Sequence, residues 1–277
     1  MSHAEIGVIG GSGLYAFLED AAEVDVQTPY GPPSDRLVVG EVRGRQVAFI
    51  PRHGRDHRYP PHRIPYRANL WALRSLGVRQ VLAPCAVGSL RATLPAGSLV
   101  VPDQLVDRTS GRPQTYYDTG AVHVSFADPY CPDGRAVAVR EAARGQWPVT
   151  DGGAMVVVEG PRFSTRAESR WFADQGWAVV NMTGHPEAVL ARELALCYTA
   201  IALVTDLDAG VEGLPDAVTQ KAVTQEAVTQ KEVFTFFAAN TARQRTLLYD
   251  VLAGLPVERA CPCGSSLDGI DVPLDLP

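Results

Sequence analysis

Hydrophobic residues along the chain form eight short runs rich in Val, Ile and Ala, each bounded by Gly, Pro or polar residues. Runs of this length and composition predict strands that are buried on both faces of a sheet. The predicted strands span residues 5–9, 36–39, 46–50, 80–84, 98–101, 154–159, 177–182 and 197–205. We therefore expect a central sheet that runs through most of the chain.

Apolar residues recur with a spacing near 3.6 between some of these strands, which predicts helices over residues 66–76, 165–175 and 186–196. Strands that alternate with helices indicate an α/β three-layer sandwich with a largely parallel sheet. Residues 28–56 instead contain two strands joined by the polar turn 40–45, which predicts a hairpin. The central sheet is therefore expected to be mixed.

No Pro-rich or Gly-rich linker divides the chain, so residues 1–255 are predicted to form a single domain. Residues 217–230 contain Ala-Val-Thr-Gln three times, which fits either a surface helix with a local duplication or a mobile lid. Residues 256–277 are rich in Pro, Gly and Asp and are predicted to be a loop-like tail.

The composition and charge of the chain limit the kinds of partner that we expect it to bind. The 277 residues carry a net charge of -6 with scattered basic residues, which argues against nucleic-acid binding. The longest apolar run, 195–204, is half of the roughly 20 residues that span a bilayer, so we expect a cytoplasmic protein with no membrane partner. The five cysteines include no C-x-x-C pair and are expected to be reduced. Cys261 and Cys263 fit either free surface thiols or a strained redox disulfide.

Three strand ends carry residues suited to an anion. The first is a glycine-rich turn whose backbone N–H groups and Ser12 hydroxyl could donate to it; a structural turn and a nucleotide-cofactor loop are the alternatives. The second carries Arg52 and His53 and fits an oxyanion, although a solvated basic loop or a zinc site is also possible. The third contains Cys85 and Ala86 among small residues whose N–H groups could close the pocket.

Two further strand ends carry candidates for nucleoside contacts. Phe163 and Met182 could pack against a flat ring, while Asn181 and Thr183 could bind hydroxyl groups. The alternative is that the aromatic ring and the thioether belong to the core.

A buried strand ends in Asp206 and Asp208. A pair of this spacing can hold a metal beneath a nucleotide-sugar diphosphate, or it can cap the strand end. A third possibility agrees best with the other strand ends: burial and the neighbouring charge keep one carboxyl protonated, so that it acts as an acid on a leaving group.

Eight motifs occur in an order and spacing that resemble the 5'-methylthioadenosine phosphorylases of the trimeric purine nucleoside phosphorylase family, over about residues 5–250. The resemblance implies a purine nucleoside phosphorylase-like fold, a homotrimer with sites at subunit interfaces, no metal, no cofactor, and inorganic phosphate as co-substrate. The motifs are Gly10-Gly-Ser-Gly-Leu-Tyr, Thr28-Pro-Tyr-Gly-Pro-Pro-Ser, Pro51-Arg-His-Gly, Tyr66-Arg-Ala-Asn-Leu-Trp-Ala-Leu, Asp103-Gln-Leu-Val-Asp-Arg-Thr, Glu159-Gly-Pro-Arg-Phe-Ser-Thr-Arg-Ala-Glu-Ser, Asn181-Met-Thr and Thr205-Asp-Leu-Asp.

By this resemblance, phosphate contacts come from four parts of the chain, namely Ser12, Arg52 and His53, Ala86 with the backbone of Cys85, and Thr183. The nucleoside contacts are Phe163, Asn181 and Met182, with His123 reaching a neighbouring subunit's site, and the base-recognising acids are Asp206 and Asp208. The chain differs from eukaryotic members at Cys85, where they have a phosphate-binding Thr.

The resemblance predicts phosphorolysis of 5'-methylthioadenosine to adenine and 5-methylthioribose 1-phosphate, in purine and methionine salvage. Asp206, if protonated, can donate to N7 of adenine and accept from its 6-amino group. Gly184-His185-Pro186 also occurs in a branch that acts on methylthioinosine. One alternative is therefore a phosphorylase for 6-oxopurine nucleosides such as methylthioinosine, inosine or guanosine. A non-catalytic nucleoside-binding protein is the second alternative.

Overall fold

The computed structural model describes residues 3–11, 14, 17–19, 21–211 and 229–277. Within these ranges the chain forms one mixed sheet of eleven strands, with helices packed against it. The strands are β1 (Ile6–Gly10), β2 (Ala22–Val24), β3 (Leu37–Val42), β4 (Arg45–Pro51), β5 (Gln80–Ser89), β6 (Leu99–Val101), β7 (Gln104–Arg108), β8 (Val149–Asp151), β9 (Ala154–Val158), β10 (Val179–Asn181) and β11 (Cys197–Leu207). The helices are α1 (Tyr66–Ser75), α2 (Pro132–Arg144), α3 (Arg166–Asp174), α4 (Gly184–Glu193) and α5 (Gln230–Gly254).

Strand β5 is the centre of the sheet. It pairs in parallel with β11 from Gln80 to Ser89. On its other side, β1 runs parallel to its first residues and β10 runs antiparallel to Gly88 and Ser89. The sheet continues beyond β1 through β4, β3 and β2, and beyond β10 through β9 and β7. The carboxyl ends of β1, β4, β5 and β11 therefore lie close together.

Side chains alternate between the two faces of β5 and β11, as a strand period of two requires. Ala83 and Ala202 belong to one apolar cluster with residues of α1 and α4. Leu82 and Leu203 belong to a second cluster with residues of α2 and α5. Helices thus cover both faces of the sheet, which confirms the predicted α/β three-layer sandwich.

The predicted hairpin is formed by β3 and β4, which pair antiparallel. Its turn is shorter than predicted and consists of Arg43 and Gly44, with φ of 50° and 78°. Two central residues with positive φ match the right-handed twist of a two-residue hairpin. The mixed sheet is confirmed.

The sequence patterns did not predict β2, β7, β8 or α2, and only residues 233–239 of α5 were considered helix-compatible. The tail, 256–277, contains one short 3-10 turn, Pro262–Ser265, and its Leu274 and Leu276 pack against the core. The expectation of surface thiols is wrong for Cys263, which is buried. Most of the repeat at 217–230 lies outside the described residues. No helix in the described ranges is long and apolar enough to cross a membrane.

Candidate active site

A cavity of about 350 Å³ opens at the carboxyl ends of the central strands, which is where ligands bind in open α/β sheets. Ten of the twelve predicted site residues line it. Of the other two, Ser12 lies outside the described residues, and His123 is exposed and does not line the cavity. The ten lining residues are Arg52, His53, Cys85, Ala86, Phe163, Asn181, Met182, Thr183, Asp206 and Asp208.

Arg52 is fixed at one end of the cavity by a buried ion pair. Its Nε and Nη2 donate to the two carboxylate oxygens of Glu187 at 2.6 and 3.0 Å, and its Nη1 donates to the Pro84 carbonyl at 3.1 Å. The Tyr198 hydroxyl also donates to Glu187, at 2.7 Å. Although burial disfavours the charge, the Glu187 carboxylate raises the pKa of Arg52. Three of the five guanidinium N–H groups are thus used, and two are left for a ligand.

His53 is neutral at physiological pH. Burial, with the charge of Arg52, lowers its pKa to about 3. Its Nδ1 lies 2.8 Å from the Tyr59 carbonyl, which can only accept, so Nδ1 carries the proton and Nε2 is an acceptor. The ring stacks on His57 with centroids 4.3 Å apart. An oxyanion that bears a proton could donate a hydrogen bond to Nε2.

The Asn181 side chain joins the end of β5 to the start of α4. Its amide nitrogen donates to the Ala86 carbonyl at 3.1 Å, and its oxygen accepts the N–H groups of Thr183 and Gly184, each at 2.7 Å. These contacts place Thr183 on the cavity wall. Beside them, burial raises the pKa of the Cys85 thiol to about 12, so the thiol is uncharged.

An irregularity in β11 brings Thr205 and Asp206 to the same cavity. Val204 pairs with Val87 and Asp206 pairs with Gly88, which leaves Thr205 as one extra residue on β11. In a regular strand, adjacent side chains point to opposite faces, whereas a bulge changes this alternation. Both side chains line the cavity as a result.

Asp206 has the character of a proton donor. Burial, reinforced by the charge of Asp208, raises its pKa from the ordinary value of 3.8 to about 7, against the opposing hydrogen bond from Thr205. The Thr205 hydroxyl lies 2.6 Å from Asp206 Oδ1. Near neutral pH the carboxyl is therefore protonated in a large part of the molecules, as an acid on a leaving group needs to be.

Asp208 is held more firmly than Asp206. Its carboxylate accepts a hydrogen bond from the Ser169 hydroxyl on α3, and its N–H donates to the Ser89 carbonyl at 2.9 Å. Burial raises its pKa, although the hydrogen bond from Ser169 opposes the shift. The contacts position Asp208 as a fixed neighbour that influences the protonation of Asp206.

Apolar side chains form the remaining walls. Phe163, which is 41% exposed, lies at the rim. Met182 also lines the cavity, and Phe234 at the start of α5 packs edge to face with the His57 ring, with centroids 5.4 Å apart. These groups offer flat, weakly polar surfaces to a ring or an alkyl group.

The sequence interpretation did not identify Glu187, Ser169 or Phe234. A buried Arg52 requires an acidic partner, but nothing in the sequence says which of the acidic residues supplies it. Ser169 and Phe234 lie on helices whose packing only the fold reveals. Among the described residues, the one close set of three or more potential metal ligands consists of four cysteines, none of which lines the cavity.

Comparisons with known proteins agree with this arrangement. The sequence profile described as "Phosphorylase superfamily" matches residues 5–236. The chain is 60% identical to a purine nucleoside phosphorylase of Streptomyces coelicolor, over 99% of this chain and 98% of that protein. It is 57% identical to an S-methyl-5'-thioadenosine phosphorylase of Mycolicibacterium smegmatis, over 98% and 99% of the two chains.

The fold is also similar to a crystal structure of a methylthioadenosine phosphorylase from an antarctic soil metagenomic library. The TM-score is 0.83 with 38% sequence identity, over 97% of this chain and 92% of that chain. These similarities confirm the family that the eight motifs predict, and with it an enzyme of the pentosyltransferase class. The chain therefore belongs to the phosphorylase superfamily.

Proposed function

We propose that this enzyme cleaves 5'-methylthioadenosine with inorganic phosphate, giving adenine and 5-methylthioribose 1-phosphate. The observation that carries the proposal is Asp206, whose pKa is raised to about 7 in a cavity that also contains Arg52 and His53. One cavity thus combines a proton donor with groups suited to an oxyanion. The names of the Mycolicibacterium smegmatis protein and of the metagenomic structure support this substrate.

Phosphate is positioned by the groups around Arg52. The two unused N–H groups of Arg52 donate to phosphate oxygens, and the acceptor Nε2 of His53 accepts a hydrogen bond from the phosphate O–H group. Ser12, Thr183 and the backbone of Cys85 and Ala86 complete the site. A phosphate oxygen then forms a bond to C1' of the ribose as the bond from C1' to the purine N9 breaks.

The base end neutralises the leaving group. The purine departs with the electron pair of the broken bond, and protonated Asp206 transfers its proton to N7. Its other oxygen accepts from the 6-amino group, so a carboxylic acid satisfies both positions of this edge of adenine. Asp208 keeps the neighbouring carboxyl protonated, and Phe163, Asn181 and Met182 bind the ring and the ribose.

The 5' substituent faces an apolar wall in this proposal. Phe234 and His57 pack edge to face and line the cavity. A methylthio group buries apolar surface against the Phe234 ring, whereas a 5'-hydroxyl group gains no hydrogen bond from that ring.

A second candidate is a phosphorylase for 6-oxopurine nucleosides. The name of the Streptomyces coelicolor relative favours it, as does the Gly184-His185-Pro186 segment next to Thr183. A 6-oxopurine presents two acceptors at the edge that faces Asp206, whereas a protonated carboxyl group donates at one position and accepts at the other. Asp206 therefore favours the 6-aminopurine.

The resemblance to the trimeric family also supports a cytoplasmic homotrimer that acts in purine and methionine salvage. In such a trimer, His123 of one subunit reaches the cavity of a neighbouring subunit, which agrees with its exposure in the single chain. Light scattering of the purified protein tests the trimer, for which we expect three times 29.8 kDa.

The decisive experiment incubates phosphate-free enzyme with methylthioadenosine, methylthioinosine, adenosine or inosine, with and without added phosphate, and identifies the products. We expect adenine and methylthioribose 1-phosphate from methylthioadenosine, and only with phosphate. Equal cleavage without phosphate would show a hydrolase, and faster release of hypoxanthine would show the 6-oxopurine enzyme. Binding without turnover of any substrate would show a nucleoside-binding protein.

A further inference from the structure

Four of the five cysteines meet at one place outside the active site. Cys131 precedes α2, Cys197 is the first residue of β11, and Cys261 and Cys263 lie in the tail. Their four sulfur atoms all lie within 4.8 Å of one another. The Sγ atom of Cys261 lies 3.6 Å from that of Cys131 and 3.3 Å from that of Cys197. Three separate segments of the chain thus contribute to a single cluster of sulfur atoms.

The spacing of the sulfur atoms suits a tetrahedral zinc ion. Four thiolates at the usual Zn–S distance of about 2.3 Å form a tetrahedron whose sulfur atoms are separated by about 3.8 Å. The sulfur atoms observed here are mutually close, as a shared central ligand requires, instead of separated into two bonded pairs. Cys131, Cys197 and Cys263 are buried, so the centre is shielded from solvent.

A backbone N–H donor and a cation lie near the sulfur atoms. The N–H of Gly134, in the first turn of α2, donates to Cys131 Sγ at 3.5 Å. The Arg192 guanidinium lies close enough to Cys263 for the two charges to interact. Four thiolates around one Zn²⁺ have a net charge of -2, which a nearby guanidinium group and backbone N–H donors partly compensate.

We propose that Cys131, Cys197, Cys261 and Cys263 bind one structural Zn²⁺ that ties the tail to the core. Binding releases the four thiol protons to solvent and leaves each sulfur bonded to the metal. Four cysteines fill a tetrahedral zinc site completely, so the ion has no open position for a substrate. Cys197 and Asp206 are nine residues apart on β11, about 30 Å along an extended strand, which separates the ion from the proposed catalytic acid.

The sequence did not suggest this site because its ligands are not arranged as two C-x-x-C pairs. The tail supplies a C-x-C pair, and the other two ligands are single cysteines in different elements. The ion stabilises only the folded state, because the unfolded chain does not bring the three segments together. We therefore expect it to raise the unfolding temperature and to leave the chemistry at Asp206 unchanged.

The experiment measures zinc in untagged protein that has been reduced, reconstituted with zinc chloride and dialysed. We expect one zinc per chain in the wild type and a loss of at least about tenfold in the double variant Cys261→Ser/Cys263→Ser. Cys85→Ser is the matched control, because Cys85 is the fifth cysteine and lies at the cavity; it should retain one zinc. Less than one tenth of a zinc in the wild type would overturn the proposal.

Three measurements on the wild type keep the test informative if the double variant does not fold. Substitution with Co²⁺ should give the intense visible bands of a tetrahedral cobalt tetrathiolate. Alkylation of the unreduced, denatured protein in the presence of a chelator should modify all five cysteines. Modification of a single cysteine would show two disulfides in place of the metal and would overturn the proposal. Chelation should lower the unfolding temperature. The rate of methylthioadenosine turnover, measured well below that temperature, should be the same with and without the chelator, and a protein that shows no turnover should show none in either condition.

Discussion

Replacement of Asp206 by Asn should make the protein more stable above neutral pH. Burial raises the pKa of Asp206 from 3.8 to about 7. Between these two values the folded chain therefore keeps a proton that the unfolded chain has released. The free energy of unfolding of the wild type falls as the pH rises through this window. The uncharged amide of Asn has no such dependence.

The expected size follows from the shift in pKa. Each unit corresponds to about 1.4 kcal/mol, so a shift of three units gives an upper value of about 4 kcal/mol. Relative to the wild type, the free energy of unfolding of Asp206→Asn should not be raised by this effect near pH 4 and should rise progressively between pH 4 and 7. The full gain should persist above pH 7, where the folded wild type carries the buried charge.

Urea unfolding at pH 5, 6, 7 and 8 measures this difference. The control is Asp271→Asn, which removes an exposed carboxylate in the tail and should follow the wild type at every pH. A constant difference between Asp206→Asn and the wild type across these values would refute the raised pKa. It would also remove the argument that Asp206 acts as an acid.

The same variant tests the chemistry. Loss of an acid catalyst typically reduces the rate by about 10²–10⁴-fold, so kcat/KM for methylthioadenosine should fall by at least about a hundredfold. The amide can still donate to a 6-oxo group, so the preference should move toward methylthioinosine. Asp208→Asn should cost less, because Asp208 supports its neighbour. Equal losses on both substrates at Asp206 would show that it positions the sugar or the fold.

Three more substitutions test the support of Arg52 and the cavity wall at Phe234. Glu187→Gln removes the charge that compensates buried Arg52 and should lower the free energy of unfolding, measured in urea, by about 3–5 kcal/mol. Tyr198→Phe removes one hydrogen bond to the same carboxylate and should lower it by about 1 kcal/mol. Equal losses would contradict the importance of the ion pair. Phe234→Ala removes the edge contact with His57 and should raise KM for methylthioadenosine several-fold with little change in kcat; an unchanged KM would show that Phe234 does not contact the substrate.

The buried strands were predictable because each is a continuous apolar run that has no other stable environment. Strand β7, Gln104–Arg108, was not, because it is polar and lies at the edge of the sheet, where pairing and not burial determines its conformation. Helix α2 was missed because only part of one face is apolar. Short edge strands and partly exposed helices depend on their neighbours, and a single sequence does not show those neighbours.

Most of the candidate site was predictable for a topological reason. Residues that follow parallel strands meet at one edge of the sheet, so Arg52, Cys85 and Asp206 could be placed together before their contacts were known. Glu187 could not be placed, because it approaches Arg52 from a helix 135 positions later in the chain. The position of His123 in an assembled enzyme depends on a second subunit and stays a prediction.

The pairing of β5 with β11 fixes the length of substrate that the cavity accepts. Ala86, at the proposed phosphate end, is two positions from Gly88, which pairs with Asp206 at the proposed base end. Two positions along a strand span about 7 Å, and backbone hydrogen bonds hold that interval on both strands. The two ends therefore cannot separate without breaking the centre of the sheet. The distance between the two ends should therefore admit one sugar ring between phosphate and base.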